Sequence, residues 1–198
     1  RLIAYGSWPE GKQHPDRVRR GAIRLMDAAG KGDHAILDDE EHNWQLAAFA
    51  PDGQRLLVTV SNPADLIYAQ PKLALVNLEG KELAMVNEKW DGAPQGTTYA
   101  ADGSILFTSG WHGGFPLVRV RDTGTESLID APDGVQTFAA GGDRIVYALT
   151  KPENPNELYV RERGGQSRRL TDLNESWLDG KLVVKPAQKW LTRPDGEK

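Results

Sequence analysis

Apolar residues along this chain fall in short runs bounded by glycine turns, and the runs recur. Aligning Ile23, Leu73, Leu117 and Leu158 places a glycine seven residues after each: Gly30, Gly80, Gly124 and Gly165. The copies read IRLMDAAG, LALVNLEG, LVRVRDTG and LYVRERGG, at intervals of 50, 44 and 41 residues. Upstream of each stands a second shared segment: 1-RLIAYGS, 55-RLLVTVS, 104-SILFTSG and 144-RIVYALT. Two of these follow an Asp-Gly turn, in 49-FAPDG-53 and 99-YAADG-103, and a third follows the variant 138-FAAGGD-143. Asp-Gly between apolar runs marks a hairpin, because the turn needs positive φ, where glycine is unstrained.

Each unit therefore predicts four strands. An inner strand ends at Phe49, Tyr99 or Phe138, which the spacing makes equivalent. After the hairpin come a β-branched strand, the aligned third strand, and a fourth strand: 82-ELAMV, 126-ESLI or 166-QSRRLT. Four antiparallel strands repeated at this period predict an all-β fold of β-propeller blades. Arg55 to Val60 and Leu73 to Val76 are largely apolar on both faces. That is expected of middle strands in sheets stacked face to face. The inner strands, 45-QLAAF, 95-QGTTY and 135-VQTF, carry small residues suited to a crowded ring axis. No stretch reads as a helix of ten residues or more.

The blades are expected at about 1–43, 44–90, 91–131 and 132–174, the first lacking its inner strand. Segment 175–198 carries two prolines, loses the rhythm, and is expected to be a linker leading away from the ring. An incomplete ring would leave two apolar faces open. Ile3, Tyr5, Ile23 and Leu25 are expected on the first, and Ile145, Tyr147, Leu158 and Val160 on the last.

Composition narrows the function classes. The 198 residues carry a net charge of −4, with 26% charged and 39% hydrophobic residues. Arg161, Arg163, Arg168 and Arg169 cluster, but Glu157 and Glu162 interleave them, so no basic stripe for nucleic acid forms. No apolar window is long enough to span a membrane. RLIAYGSWPE lacks the pattern of a signal peptide, and the chain begins on Arg1, so its true start is expected upstream or removed. With no cysteine, disulfides, thiolate metal sites and a cysteine nucleophile are excluded, which fits a reducing compartment and an expected cytoplasmic location.

Candidate chemistry is thin. No Gly-x-Ser-x-Gly occurs; 164-GGQSRR-169 lacks the second glycine. His14, His34, His42 and His112 are scattered and expected in loops. The acidic run 38-DDEEH-42 lacks the spacing of a calcium loop and is expected to be a solvated connection between the first two blades. Trp111-His112-Gly113-Gly114 is read as a hairpin tip, with Trp111 packed or simply exposed. No catalytic, cofactor or metal residue is assigned.

One region carries a family resemblance. The run 150-TKPENPNELYVRERGGQSRRLTDLN-174, then 186-PAQKWLTRPDGEK-198, resembles the last propeller blade and linker of prolyl oligopeptidase family (S9) serine peptidases, most closely the acylaminoacyl-peptidase branch. The matching residues are Asn156-Glu157-Leu158-Tyr159, Gly164-Gly165, Arg169-Leu170-Thr171, Asn174 and Pro194-Asp195-Gly196. Earlier blades match through the Pro-Asp-Gly pattern and 108-TSGWHGGFPLVRV, where Ser109-Gly110 departs from the family's Asp-Arg. The resemblance implies the C-terminal half of a seven-bladed ring, followed beyond Lys198 by an α/β-hydrolase domain bearing a Ser-His-Asp triad. It implies a non-catalytic role, capping the active site and limiting access to short peptides, with a homo-oligomer possible. The alternatives are a TolB-like propeller acting as a protein-binding module, and a metal-dependent lactonase-type propeller. The latter would need Glu, Asn and Asp ligands at the axis, where this chain offers mainly Gln, Thr and Ala.

Overall fold

A computed structural model of the chain describes residues 1–8, 20–64, 70–122, 124–162 and 165–196. His14, Arg163 and Gly164 lie outside the described residues. The first sheet is β1 (Leu2–Ser7), β2 (Ala22–Asp27) and β3 (His34–Leu37), in that order. The second is β4 (Asn43–Phe49), β5 (Arg55–Ser61), β6 (Lys72–Asn77) and β7 (Leu83–Met85). The third is β8 (Pro94–Tyr99), β9 (Ile105–Ser109), β10 (Leu117–Arg121) and β11 (Gly124–Ile129). The fourth is β12 (Gly134–Gly141), β13 (Arg144–Lys151), β14 (Asn154–Glu162) and β15 (Ser167–Arg169). All pairings are antiparallel between chain neighbours, as propeller blades require, and the first sheet has three strands among the described residues. The one helix among them is α1 (Glu175–Leu178).

The sheets stack through their two faces. On β5, Leu56, Val58 and Val60 pack with Trp44, Ala74 and Val76 against Ile23, Leu25 and Leu37 of the first sheet. Leu57, of opposite parity, joins Leu73, Ile105, Phe107, Val118 and Val120 between the second and third sheets. Leu106 and Leu117 then meet Val135, Ile145, Tyr147 and Leu149 of the fourth. The doubly apolar middle strands are explained by this burial on both sides. Each buried Leu or Ile contributes on the order of 1.5–3 kcal/mol.

The Asp-Gly hairpins are held by the aspartate side chain. Asp52 accepts from the Gln54 and Arg55 amides at 2.8 and 3.2 Å, and Asp102 from the Ser104 amide and hydroxyl at 3.1 and 2.5 Å. The Ser104 bonds, with one from Arg121, hold the Asp102 carboxyl at about 2 against the upward push of burial. The third hairpin differs: β12 continues to Gly141, which pairs directly with Arg144 across Gly142 and Asp143.

That difference corrects one expectation. Phe49 pairs with Leu56 and Tyr99 with Ile105, but Phe138 pairs with Tyr147, and Ala140 stands opposite Ile145. The sequence spacing is the same; the tighter turn moves Phe138 two residues away from the hairpin. Each inner pair also carries a bulge, between Leu46 and Ala48, Gln95 and Thr98, and Val135 and Thr137.

A second correction concerns the outer faces. Ile23, Leu25, Ile145, Tyr147 and Val160 are buried, the first four between sheets. Strand alternation puts others outward: Ile3 at one end is 39% exposed, and Val146 and Leu158 at the other 38% and 40%. Outward on the first sheet, Tyr5 donates to Asp33 at 2.8 Å and Arg24 pairs with Asp33 at 3.0 Å, so that face is partly polar. Hydrogen bonds with Arg24, then Tyr5, draw the Asp33 carboxyl below its ordinary range.

Candidate functional site

In a four-stranded meander the first and third turns lie at one end, and the second turn and the exit at the other. That second end gathers the side chains singled out below. The turn between β9 and β10 is tight: Trp111 and Gly114 exchange both backbone hydrogen bonds, at 3.0 and 2.9 Å. His112 and Gly113 between them have φ of 47° and 80°, the signature of a hairpin turn that needs positive φ twice. Histidine is among the few side chains that tolerate it. A Cβ on Gly114 would stand 2.7 Å from the Pro132 and Asp133 carbonyl oxygens. Only glycine lets the β11–β12 connection lie against this turn, where Phe115 bridges Gly134.

Aromatic rings climb outward from the core at this tip. Trp90 meets Phe107 edge-on at 6.1 Å and Trp111 at 5.5 Å; Trp111 stacks on His112 at 4.0 Å. The Lys72 ammonium donates to the Trp90 carbonyl, fixing the connection after β7. Trp111 is therefore packed between Trp90 and His112. Trp190, from the tail, stands edge-on to His112 at 4.7 Å, and Gln188 Nε2 donates to the His112 carbonyl at 3.2 Å. The tail thus crosses back over the third sheet.

Where the chain leaves the fourth sheet, Glu157 is 1% exposed on β14. It accepts from Thr171 Oγ1 at 2.5 Å, from the Leu173 and Asn174 amides at 3.1 and 3.0 Å, and from Asn174 Nδ2 at 3.0 Å. Arg169 pairs with it at 3.0 Å. Burial pushes this carboxyl up, but the hydrogen bonds outweigh it and hold it at about 2. Thr171 Oγ1 in turn accepts the Leu158 amide at 2.9 Å. Glu157, Arg169, Thr171 and Asn174 are among the residues on which the family resemblance rests, and the structure brings them together as one lock on the chain's exit.

The other residues singled out are dispersed. His34 begins β3 rather than lying in a loop, with Nδ1 2.7 Å from the Gly32 carbonyl. His42 sits in the connection after β3, paired with Asp39 at 2.8 Å and 4.9 Å from the Trp44 ring. Part of the acidic run is engaged: Asp38 pairs with Arg20 at 2.8 Å, and Asp39 also accepts from Trp44 Nε1 at 2.9 Å. Burial raises the Asp39 carboxyl, and these bonds from Trp44 and His42 more than reverse it. Ser109 is fully buried with no partner for its hydroxyl. Ser167, from the GGQSRR stretch, lies on β15. Among the described residues no three His, Cys, Asp or Glu side chains converge as a metal site, and no helix is long and apolar enough to cross a membrane. A groove of about 1080 Å³ runs between the second and third sheets, with Asp52, Arg55 and Arg121 among its polar lining and Met85, Trp90 and Tyr99 among its apolar.

Sequence reasoning missed two features. Nothing in composition marks Glu157 as buried, although a lone glutamate heading an apolar strand was the available signal. No signal in the tail pointed Trp190 to His112.

No protein-family model matches the chain, and no curated protein matches it significantly. Solved structures do. Acylaminoacyl peptidase of Pyrococcus horikoshii is 17% identical, with a TM-score of 0.66 over 91% of this chain and 27% of that one. The β-propeller domain of the Trilobed protease from Pyrococcus furiosus is 18% identical, with a TM-score of 0.65 over 87% of this chain and 52% of its own. TolB from Acinetobacter baumannii is 21% identical, with a TM-score of 0.57 over 86% and 40%. The chain spans 27% to 52% of the length of these three structures. At such identities the likeness speaks for the fold: this is a run of β-propeller blades, and acylaminoacyl peptidase, a protease propeller and TolB all match it over most of its length.

Proposed function

We propose that the chain is the non-catalytic propeller portion of an S9 serine peptidase of the acylaminoacyl-peptidase or prolyl oligopeptidase type. In this reading it is the C-terminal half of a seven-bladed ring over an α/β-hydrolase domain. It caps the active site of that domain and limits access to short peptides, and the enzyme works in the cytoplasm. The observation that carries the reading is the coincidence of two independent features. Residues that resemble the family form the Glu157 lock, and the blades superpose on acylaminoacyl peptidase over 91% of the chain. The catalytic step would be Ser-His-Asp acyl transfer to water, performed by residues outside this chain.

The test is direct. The full-length protein from its source should be labelled by a fluorophosphonate on a serine beyond position 198, and the 198-residue chain alone should hydrolyse no acyl-peptide or p-nitrophenyl ester. Absence of any labelled serine in the full-length protein would overturn the reading. A second reading, a TolB-like protein-binding module, is favoured by the TolB likeness over 86% of the chain. It predicts a full-length protein without the labelled serine and with a secretion leader.

A further inference from the structure

From residue 182 to 194 the tail donates no backbone hydrogen bond to the blades among those described. It is an exposed segment, with Leu182 at 92%, Leu191 at 80% and Val184 at 69%. Its described contacts with the sheets are few. Trp190 meets His112 edge-on, Gln188 donates to the His112 carbonyl, and Lys185 lies 3.7 Å from Glu153 in the β13–β14 turn. The last is an exposed pair of little strength. Two of the three contacts therefore fall on one residue, His112, held at positive φ at the end of an aromatic column rooted in Phe107. Ordering the residues from Lys185 to Trp190 costs conformational entropy, and one aromatic contact with one hydrogen bond opposes it.

We propose that residues 185–190 form a releasable strap, with Trp190 as its anchor and the His112 ring as its seat. The strap rests on the geometry of this chain and does not depend on the peptidase reading.

Tryptic cleavage tests it, because the tail carries its own reporter and control. Lys189 precedes the anchor, and Lys181 lies outside the strap. In the native 198-residue chain Lys189 should be cut several-fold more slowly than Lys181. His112→Asn keeps a residue that accepts positive φ and leaves the cleaved sequence unchanged; it should bring the two rates together. Trp190→Ala should do the same, Trp190→Phe should retain partial protection, and Lys185→Ala should change the ratio at Lys189 by less than twofold. The two releasing substitutions combined should do no more than either alone, since they break one contact. Should His112→Asn unfold the hairpin, cuts at Lys72 and Arg119 would report it, and Trp190→Ala then carries the test. Equal rates at Lys189 and Lys181 in the native chain, or protection that survives both His112→Asn and Trp190→Ala, would overturn the strap.

Discussion

Glu157 shows how one residue ties a strand to the segment after it. Its carboxylate is buried and holds the Thr171 hydroxyl, the Leu173 and Asn174 amides and Arg169. A carboxyl at about 2 in the folded chain lies below its unfolded value of roughly 4.3. The unfolded chain therefore binds the proton more readily, and the stabilisation is complete above the unfolded value and lost as pH falls toward about 2. Glu157→Gln should lower the denaturation midpoint at pH 7, and the gap from the native chain should close between about pH 5 and 2. A gap of constant size across that range would show that the charge is not what matters. At Gly114 the constraint is steric. Gly114→Ala should cost about 1–3 kcal/mol in urea unfolding, because the added carbon meets the Pro132 and Asp133 backbone at 2.7 Å. The sequence displayed both residues without their reasons: a glutamate beside an apolar run looks like any surface charge, and a glycine in a turn looks like any turn.

Among elements, the paired strands were legible and their registers were not. Period, turn glycines and doubly apolar runs located the strands of the four sheets, since alternation and turn chemistry are local properties. The bulges in the inner strands left no local mark. Nor did the two-residue turn at Gly142, which moved Phe138 out of line with Phe49 and Tyr99. The same parity decides which leucines matter. Leu57 is fully buried between the second and third sheets, whereas Leu158 on β14 is 40% exposed. Leu57→Ala should cost about 2–5 kcal/mol and Leu158→Ala under about 0.5 kcal/mol, read by chemical denaturation. Similar costs at the two sites would contradict the face assignment. The tail reads in sequence as a linker leading away, and its contact with His112 joins positions 78 residues apart, a distance over which no pattern in one sequence speaks.

At the scale of the whole chain, the outer faces set its behaviour in solution. Val146 and Leu158 lie outward on the last sheet, and Ile3 on the first. The first face is tempered by the Tyr5–Arg24–Asp33 network, so the last is the more adhesive. Sedimentation of the 198-residue chain should show association that strengthens with concentration, and Leu158→Lys should shift its midpoint upward by about tenfold. A chain that stays monomeric at high concentration, with or without the substitution, would argue that neither face needs covering. The propeller class was legible from the repeat alone. The partners of the outer faces were not, because a strand's sequence records that a face is apolar and not what lies across from it.

The stacking of the sheets, each packed only on its neighbours, has a consequence for how the molecule comes apart. Stability in such an array is a chain of pairwise couplings, and a member with two couplings outlasts one with a single coupling. Opening should therefore proceed inward. Amide exchange under native conditions should release β1 to β3 and β13 to β15 at lower free energy than β5, β6, β9 and β10. The two central sheets then form the last cooperative unit to melt, and a truncation that removes either terminal sheet would turn its neighbour into the new frayed end.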